Sequence, residues 1–325
     1  MNNYSKLEYL LHKFTLSSQI MRELMFDIER LLFLDDTVFD DNHVFVTGLA
    51  RSGTTSLLNA IYKSNKFASL TYEDMPFILA PNLWKKITPL KKHTIFQERA
   101  HGDNIEISSN SPEAFEEVFW KTYTHNSKLQ QDLFIKFIAL ILKKNNKFRY
   151  LSKSNQNIAR LPLISKIFPY SKILIPFREP LQQSFSLYSQ HIRFLKKQND
   201  DIFVLEYMNW IGHYEFGKDY KKNHRTDLYF SDENQLNHWL EQWYLTYKLL
   251  YKFALKKEMF YLIGYESLCN NIDVWSNVKD LLGVDKQLDF SFKESKHPIN
   301  VTFDSELYFK CQELYESMMS SSFGT

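Results

Sequence analysis

A glycine-containing stretch near the start of the chain constrains the possible folds more than any other feature. Residues 43–62 read HVFVTGLARSGTTSLLNAIY, in which a short apolar run leads into a turn with Gly48 and Gly53 and then into an apolar helix. A strand, a glycine turn and a helix in this order are typical of α/β proteins whose turn binds a phosphate group. The sequence therefore predicts an α/β fold with an anion site at this turn.

The turn differs from the P-loop of ATPases and GTPases in the position of its basic residue. That loop has the motif G-x-x-x-x-G-K-[ST], whereas here Thr54 takes the lysine position and Arg51 lies inside the turn. Glycine conformations allow backbone N–H groups to point inward, and the following helix begins with its positive end at the same point. We expect a tetrahedral oxyanion to bind here, and a tight turn without a ligand is the alternative. The predicted anion contacts are Arg51, Ser52, Gly53, Thr54, Thr55 and Ser56.

Composition and charge limit the classes of function. The 325 residues are 44% apolar and 24% charged, and the formal net charge of +2 argues against nucleic-acid binding across the whole surface. Cys269 and Cys311 provide neither a disulfide framework nor a metal-binding spacing. Residues 1–40 have a helical apolar period interrupted by charges, which predicts N-terminal helices rather than a signal peptide or a membrane span. We therefore expect a cytoplasmic protein with no nucleic-acid partner and no integral membrane segment.

Strand-like and helix-like segments alternate along the rest of the chain. The predicted strands are residues 44–47, 67–71, 148–151, 172–177 and 260–263, and the predicted helices include 157–168, 180–196 and 234–256. This order predicts a P-loop-like parallel β-sheet flanked by helices, in a single domain of residues 1–325. Residues 198–232 have no clear helical or strand period, and we interpret them as an insertion or a lid over the site.

Polar residues follow the predicted strands at the points where the strands end. In parallel α/β sheets, ligands bind beyond these carboxyl ends. Lys153 and Arg178 each follow a strand, and Glu73 and Asp74 follow another. Chemistry with Mg·ATP requires an acidic metal ligand and a loop lysine. The observed pattern instead favours an anionic donor whose charge is neutralised by protein cations, with no metal.

Two segments resemble the donor-binding motifs of sulfotransferases that use 3′-phosphoadenosine 5′-phosphosulfate (PAPS). GLARSGTTSLLNAI, residues 48–61, is similar to the family's 5′-phosphosulfate loop, with Arg in place of a common Lys. KILIPFREPLQQSFSLY, residues 172–188, is similar to the 3′-phosphate motif, in which a strand ends in Arg and a helix carries Ser eight residues later. Weaker similarities extend the resemblance over residues 44–268; they are 109–120, 151–172 and the YESL segment at 265–268.

The resemblance implies roles for individual residues. Arg178 and Ser186 would bind the 3′-phosphate, and Tyr265 is assigned to the donor site. Arg51 and Lys153 would stabilise charge on the transferred group and the leaving oxygen, while Glu73 would take the proton of the acceptor hydroxyl. The donor would be PAPS, the nucleotide product adenosine 3′,5′-bisphosphate (PAP), and the acceptor a carbohydrate, a lipid or another small molecule.

The sequence also departs from the family pattern. Glu179 replaces a commoner Asp, and Ala50 replaces a frequent Pro. The late Arg-Lys-Gly motif of the cytosolic enzymes is absent from the sequence. Residues 295–297, Ser-Lys-His, are the candidate replacement on the far side of the 3′-phosphate site.

Three of these residues could instead have a purely structural role. Arg178 could form an ion pair with Glu179 or Glu266, and Ser186 could be an ordinary serine on a helix surface. Lys153 could be a solvated lysine. These alternatives require no ligand.

The proposed base has alternatives as well. Glu73 and Asp74 could be an acidic pair at a helix start, where the helix dipole favours carboxylates. His93, His101 and His125 are further candidate bases. Glu113 is interpreted as part of a capping box begun near Ser111.

Two other functions remain open at the level of the sequence. A nucleotide-dependent kinase would use Asp74 as a magnesium ligand, and a non-catalytic relative would only bind the nucleotide. Aromatic segments at residues 208–216 and 238–251 could contact an acceptor, although we expect Trp239, Trp243 and Tyr247 to lie in the core.

Overall fold

The computed structural model describes residues 6–35, 40–88, 97–98, 106–124, 128–222, 228–285 and 287–324. Within these ranges the strands are β1 (Val44–Val46), β2 (Gln97–Glu98), β3 (Glu106–Ile107), β4 (Leu151–Lys153), β5 (Lys172–Phe177) and β6 (Phe260–Gly264). The helices are α1 (Lys6–Ser17), α2 (Gln19–Phe33), α3 (Thr54–Tyr62), α4 (Pro81–Ile87), α5 (Glu117–Thr122), α6 (Lys128–Asn145), α7 (Leu161–Ile167), α8 (Pro180–Asp200), α9 (Ile202–Ile211), α10 (Leu236–Ala254), α11 (Tyr265–Asn270), α12 (Ile272–Leu282) and α13 (Ser305–Ser320). Two 3₁₀-helices cover Tyr72–Asp74 and Asn155–Arg160.

Four strands form one parallel sheet in the order β4-β1-β5-β6. Val46 of β1 lies opposite Lys153 on one side and Leu174 on the other, and Phe177 of β5 lies opposite Gly264 of β6. Because all four strands run in the same direction, their carboxyl ends lie at one edge of the sheet. The predicted α/β fold with a parallel sheet flanked by helices is confirmed.

The apolar core lies on both faces of this sheet. Along β1, Phe45 belongs to one apolar cluster, and its neighbours Val44 and Val46 belong to a second one. The same alternation continues in β5, where Ile173 and Leu174 pack in different clusters. A parallel sheet covered by helices on both faces is stabilised in this way, since successive side chains point to opposite sides.

The predicted strand at residues 67–71 is not formed as a strand. Ala68 makes an isolated parallel bridge to Tyr150 beside β4, and Thr71 bridges to Pro112. The pairing ends there because the chain turns into the 3₁₀-helix Tyr72–Asp74. The neighbouring strand is also shifted, since β4 begins at Leu151 rather than at residue 148.

Residues 198–232, which have no clear helical or strand period in the sequence, are helical in their first part. Helix α8 continues to Asp200, and α9 follows with Val204 and Met208 buried in the core. The side chain of Asp201 accepts a hydrogen bond from the N–H of Phe203 and begins α9. Tertiary burial of this apolar segment explains a helix that its aromatic composition obscured. No helix of the described ranges has the length and apolarity needed to cross a membrane.

Candidate functional site

The glycine loop, residues 47–53, connects β1 to α3 in a conformation that only glycine accommodates at two points. Gly48 has φ 147° and Gly53 has φ 91°. A Cβ atom at Gly48 would lie 3.0 Å from the Pro176 carbonyl oxygen, and one at Gly53 would lie 2.1 Å from Cδ2 of Tyr265. Arg51 also has a positive φ of 66°, which is uncommon for a residue with a side chain. The loop is therefore held in a strained conformation by its surroundings.

Helix α3 presents its amino end at the end of this loop. It begins at Thr54, and its N-cap Gly53 has no side chain to cap it. The N–H groups of the first helical turn have no partner within the helix, and they carry the positive end of the helix dipole. Thr54 and Thr55 are buried at this end. The arrangement is chemically suited to an oxyanion.

The loop arginine reaches across to α8. Arg51 Nε donates a hydrogen bond of 3.0 Å to Ser186 Oγ, which lies 135 residues later in the chain. The structure therefore brings together two predicted donor-site residues. Ser186 is buried, which differs from the ordinary surface serine that was the alternative.

Arg178 follows β5 and is 5% exposed. Its Nε lies 4.0 Å from Glu266 Oε1, and its Nη2 is buried without a hydrogen-bond partner. Of the two predicted ion-pair partners, Glu266 is the one in contact, because Glu179 instead caps α8 by accepting from the N–H of Gln182. Buried donors in proteins are almost always paired. The guanidinium of Arg178 therefore retains hydrogen-bonding capacity for an anion.

Glu266 also accepts hydrogen bonds from groups other than Arg178. Its Oε1 accepts from the N–H of Glu179, and its Oε2 accepts from the Tyr315 hydroxyl. Burial raises the pKa of Glu266, and these hydrogen bonds and Arg178 partly offset that effect. The contact between Arg178 and Glu266 is consequently a loose ion pair.

Residues 295–297 lie beside this arginine. Gln182 on α8 exchanges two hydrogen bonds with the backbone of His297, at 2.9 and 3.1 Å. The pKa of His297 is lowered by burial first and then by the positive charges of Arg178 and Arg51. The tertiary structure thus places this segment close to both arginines.

Lys153 ends β4, one strand away from the start of the glycine loop. Its side chain is buried, and its Nζ lies 3.5 Å from Glu113 Oε1. The alternative of a solvated lysine is therefore wrong. Glu113 does not form the predicted capping box, because α5 begins only at Glu117. It instead accepts hydrogen bonds from the N–H of Ala114 and the hydroxyl of Tyr72.

Glu73 and Asp74 have different environments. Glu73 is exposed to solvent. Asp74 is buried, caps the 3₁₀-helix through Thr71, and lies 2.5 Å from Lys144 Nζ. The three further candidate bases lie outside the described residues; they are His93, His101 and His125.

Tyr265 packs against the glycine loop at Gly53. Its ring lies against Gly53, and its hydroxyl donates to the Lys293 carbonyl at 3.2 Å and approaches Ser56 Oγ at 3.4 Å. Burial is the largest cause of the raised pKa of Tyr265. Its position explains why an aromatic residue after β6 requires glycine at position 53.

Gln183, which no sequence pattern predicts as a site residue, anchors the loop at Ala50. Gln183 Nε2 donates to the Ala50 carbonyl at 3.0 Å and to the Tyr247 hydroxyl at 3.1 Å, and Gln183 Oε1 accepts from Trp243 Nε1. Trp239, Trp243 and Tyr247 are buried, which confirms the predicted core positions. A glutamine within a helix has no motif that would have revealed its contact with the loop.

Comparison with known proteins identifies the family. A sequence model described as "Sulfotransferase family" matches residues 43–285. None of the curated proteins matches. The structure is similar to that of sulfotransferase STF1 from Mycobacterium tuberculosis, with a TM-score of 0.50 and 11% identity over 99% of this chain and 87% of that one. This similarity supports a common fold.

Two further solved structures show weaker similarity. Sulfotransferase STF9 from Mycobacterium avium has a TM-score of 0.48 and 11% identity, over 98% of this chain and 79% of that one. A sulfotransferase from Alicyclobacillus acidocaldarius has a TM-score of 0.42 and 14% identity, over 86% and 93% of the two chains. The match of the family model over most of the sequence decides the assignment, and the chain belongs to the sulfotransferase family.

Proposed function

We propose that this protein transfers a sulfuryl group from PAPS to a hydroxyl group of an acceptor. The observation that carries the proposal is the buried guanidinium of Arg178, whose Nη2 lacks a partner at the same sheet edge as the glycine loop. A buried arginine with spare donors is suited to a phosphate, which it can bind in bidentate geometry. Membership of the sulfotransferase family supports the same chemistry.

The donor would bind along the carboxyl edge of the sheet. In the proposal, the amide groups of residues 52–56 and the side chain of Arg51 bind the 5′-phosphosulfate, with Tyr265 supporting the loop. Arg178 and Ser186 bind the 3′-phosphate, which ATP lacks. The Arg51–Ser186 hydrogen bond supports an arrangement in which the two proposed phosphate-binding regions adjoin one another.

The transfer itself would be an in-line displacement. The acceptor oxygen forms a bond to sulfur, and the bond between sulfur and the 5′-phosphate oxygen breaks. The electron pair leaves on the phosphate of PAP, where Arg51 and Lys153 stabilise it, and the hydroxyl proton passes to Glu73. The exposed side chain of Glu73 is accessible to an acceptor that enters from solvent. We propose that no metal takes part.

The environment of Asp74 argues against the kinase alternative. Its carboxylate contacts Lys144 and Thr71, and a kinase would need it free to bind magnesium. A non-catalytic relative differs from an enzyme in the effect of Glu73→Gln, which would abolish turnover in the enzyme and leave donor affinity unchanged. The acceptor class, the single-domain organisation of residues 1–325, the lid role of residues 198–232 and the cytoplasmic location stay predictions.

Thermal unfolding with PAP, compared with Mg·ATP, tests the proposed function directly. A ligand present at about a hundred times its dissociation constant adds about 2.7 kcal/mol to the free energy of unfolding. For a chain of this size we expect the Tm to rise by a few degrees with PAP. A rise with Mg·ATP and none with PAP would contradict the proposal.

The variant Arg178→Ala refines this test. Loss of charge-assisted hydrogen bonds to the 3′-phosphate should weaken PAP binding by about ten- to a hundredfold. Arg149→Ala is the matched control, because Arg149 contacts the carbonyl groups of Asn42 and Leu282 and lies before β4, away from the carboxyl edge. Equal PAP affinities in the two variants would exclude Arg178 from the donor site.

A further inference from the structure

We propose that Glu113 is a positioning residue, which holds the ammonium group of Lys153 in place at the donor edge of the sheet. The inference rests on the proposed function, since it assigns Lys153 to the leaving phosphate. Glu113 does not contact the reacting atoms in this proposal. It acts through Lys153.

The two side chains form a buried ion pair. Glu113 Oε1 lies 3.5 Å from Lys153 Nζ, and the side chains are 4% and 8% exposed, respectively. A lysine at this degree of burial is costly without a counter-charge, and removing one partner leaves an uncompensated charge. Lys153 therefore depends on Glu113 more than an exposed lysine would depend on a neighbouring carboxylate.

The carboxylate of Glu113 is fixed by further contacts. Its Oε1 accepts from the N–H of Ala114 at 2.9 Å, and its Oε2 accepts from the Tyr72 hydroxyl at 3.3 Å. The backbone N–H of Glu113 donates to the Leu70 carbonyl at 3.1 Å. With both oxygens and the backbone engaged, the carboxylate has little freedom to follow Lys153 if the lysine moves.

Two neighbouring carboxylates accept hydrogen bonds from the side chains that flank Lys153 in the sequence. Glu116 Oε2 accepts hydrogen bonds from Ser152 Oγ and from the Tyr150 hydroxyl. Glu117 accepts from Ser154 Oγ and pairs with Arg160. The three carboxylates thus contact three successive positions at the end of β4, and Glu113 is the one within ion-pair distance of the lysine side chain.

The same carboxylate is linked to the segment of the proposed base. Tyr72, which donates to Glu113, directly precedes Glu73 in the 3₁₀-helix. One buried carboxylate therefore contacts the cation proposed for the leaving group and the residue beside the base. Its loss should disturb the geometry of transfer more than the binding of the donor.

A double-mutant cycle tests the inference, with sulfate release from PAPS to water as the rate and PAP binding as the second readout. We expect Glu113→Gln to slow the rate by about ten- to a hundredfold, because misplaced catalytic groups have effects of this size. PAP affinity should fall by less than the rate does, because Arg178, Ser186 and the loop amides still bind its phosphates. In a protein that already carries Lys153→Ala, Glu113→Gln should reduce the rate little further. The effects of substituting two residues that act through one another are not additive.

The control is Glu29→Gln, which makes the same substitution at another buried carboxylate. Glu29 accepts hydrogen bonds from Asn82 and Leu83 on α4 and has no contact with the donor edge in the described structure. It should lower stability and leave the rate of the folded enzyme unchanged. Equal slowing in Glu29→Gln and Glu113→Gln would assign Glu113 a purely structural role.

A milder variant covers the case in which Glu113→Gln does not fold. Tyr72→Phe removes one hydrogen bond to Glu113 and should slow the rate only when Lys153 is present. Additive effects of either variant with Lys153→Ala would overturn the inference and leave the proposed function intact. A wild-type protein that binds neither PAP nor PAPS would overturn both.

Discussion

Gly53 shows how a residue of the glycine loop can be predicted from the sequence while the reason for it cannot. The spacing of Gly48 and Gly53 predicts a turn with unusual backbone angles. The structure adds that Tyr265, which lies far from Gly53 in the sequence, occupies the space that a Cβ atom at position 53 would need. Glycine is therefore required there for its conformation and for its missing side chain.

We predict that Gly53→Ala destabilises the protein and weakens PAP binding. The φ of 91° alone should cost about 1–2 kcal/mol, as for other residues in this region. The close approach to Tyr265 should add about 1–3 kcal/mol of overpacking. Urea unfolding and PAP titration would measure the two effects.

Gly283→Ala is the matched control. Gly283 also has a positive φ, of 62°, at the end of α12, but its Cβ atom would have no neighbour within 4 Å. Only the backbone cost of about 1 kcal/mol is expected, with unchanged PAP affinity. If both variants lose equal stability, the contact with Tyr265 is not the cause.

Helices α8 and α10 hold the glycine loop at Ala50, whereas Tyr265 contacts it at Gly53. Gln183 of α8 contacts the Ala50 carbonyl and also bonds with Trp243 and Tyr247 of α10. Tyr247 in turn donates to the Pro176 carbonyl of β5 at 3.1 Å. Two helices, strand β5 and the glycine loop therefore share one buried polar network, and we expect it to fix the loop before the donor binds.

We predict that Gln183→Leu lowers the free energy of unfolding by at least about 2 kcal/mol, because buried polar partners are left unpaired. The loop should lose its anchor at Ala50, so PAP affinity should fall as well. Denaturant unfolding and calorimetric titration with PAP would measure these changes.

Gln198→Leu serves as the comparison within the same helix. Gln198 is buried near the end of α8 and accepts from the N–H of Lys218, without contact to the glycine loop in the described structure. Its loss should reduce stability and leave PAP affinity unchanged. A fall in PAP affinity of similar size in both variants would mean that α8 affects the loop only through general stability.

Across the whole molecule, the amino and carboxyl ends of the sheet have different roles. The proposed donor site lies at the carboxyl ends, while His43 is buried at the amino end of β1. His43 Nδ1 accepts from the N–H of Tyr150, and its ring packs against Phe168. Burial lowers the pKa of His43 to about 4. Protonation of His43 at acidic pH should therefore destabilise the protein, although this residue is distant from the proposed donor site.

We predict that stability falls as the pH drops from about 6.5 toward about 4. The folded state disfavours the charged ring, so its contribution is complete above the unfolded pKa and is lost as the pH falls through the folded pKa. A pKa shift of this size corresponds to about 3 kcal/mol in the free energy of unfolding. Urea unfolding at a series of pH values would show it.

His43→Gln removes the titration and should flatten this part of the pH profile. The comparison uses the slope of the free energy of unfolding against pH in each protein. The slope is used rather than the value, since the substitution also changes stability at every pH. Parallel profiles for wild type and variant would show that other groups cause the acid sensitivity.

The sequence by itself determined the order of strand, glycine turn and helix, the glycine spacing and the arginine that follows β5. These are local features, because turn geometry and apolar periods depend on neighbouring residues. Only the tertiary structure decided that Arg51 contacts Ser186, that Lys153 is paired with Glu113, and that residues 67–71 form a bridge rather than a strand. Such contacts join distant segments, and their energies depend on burial and on partners that no local pattern records.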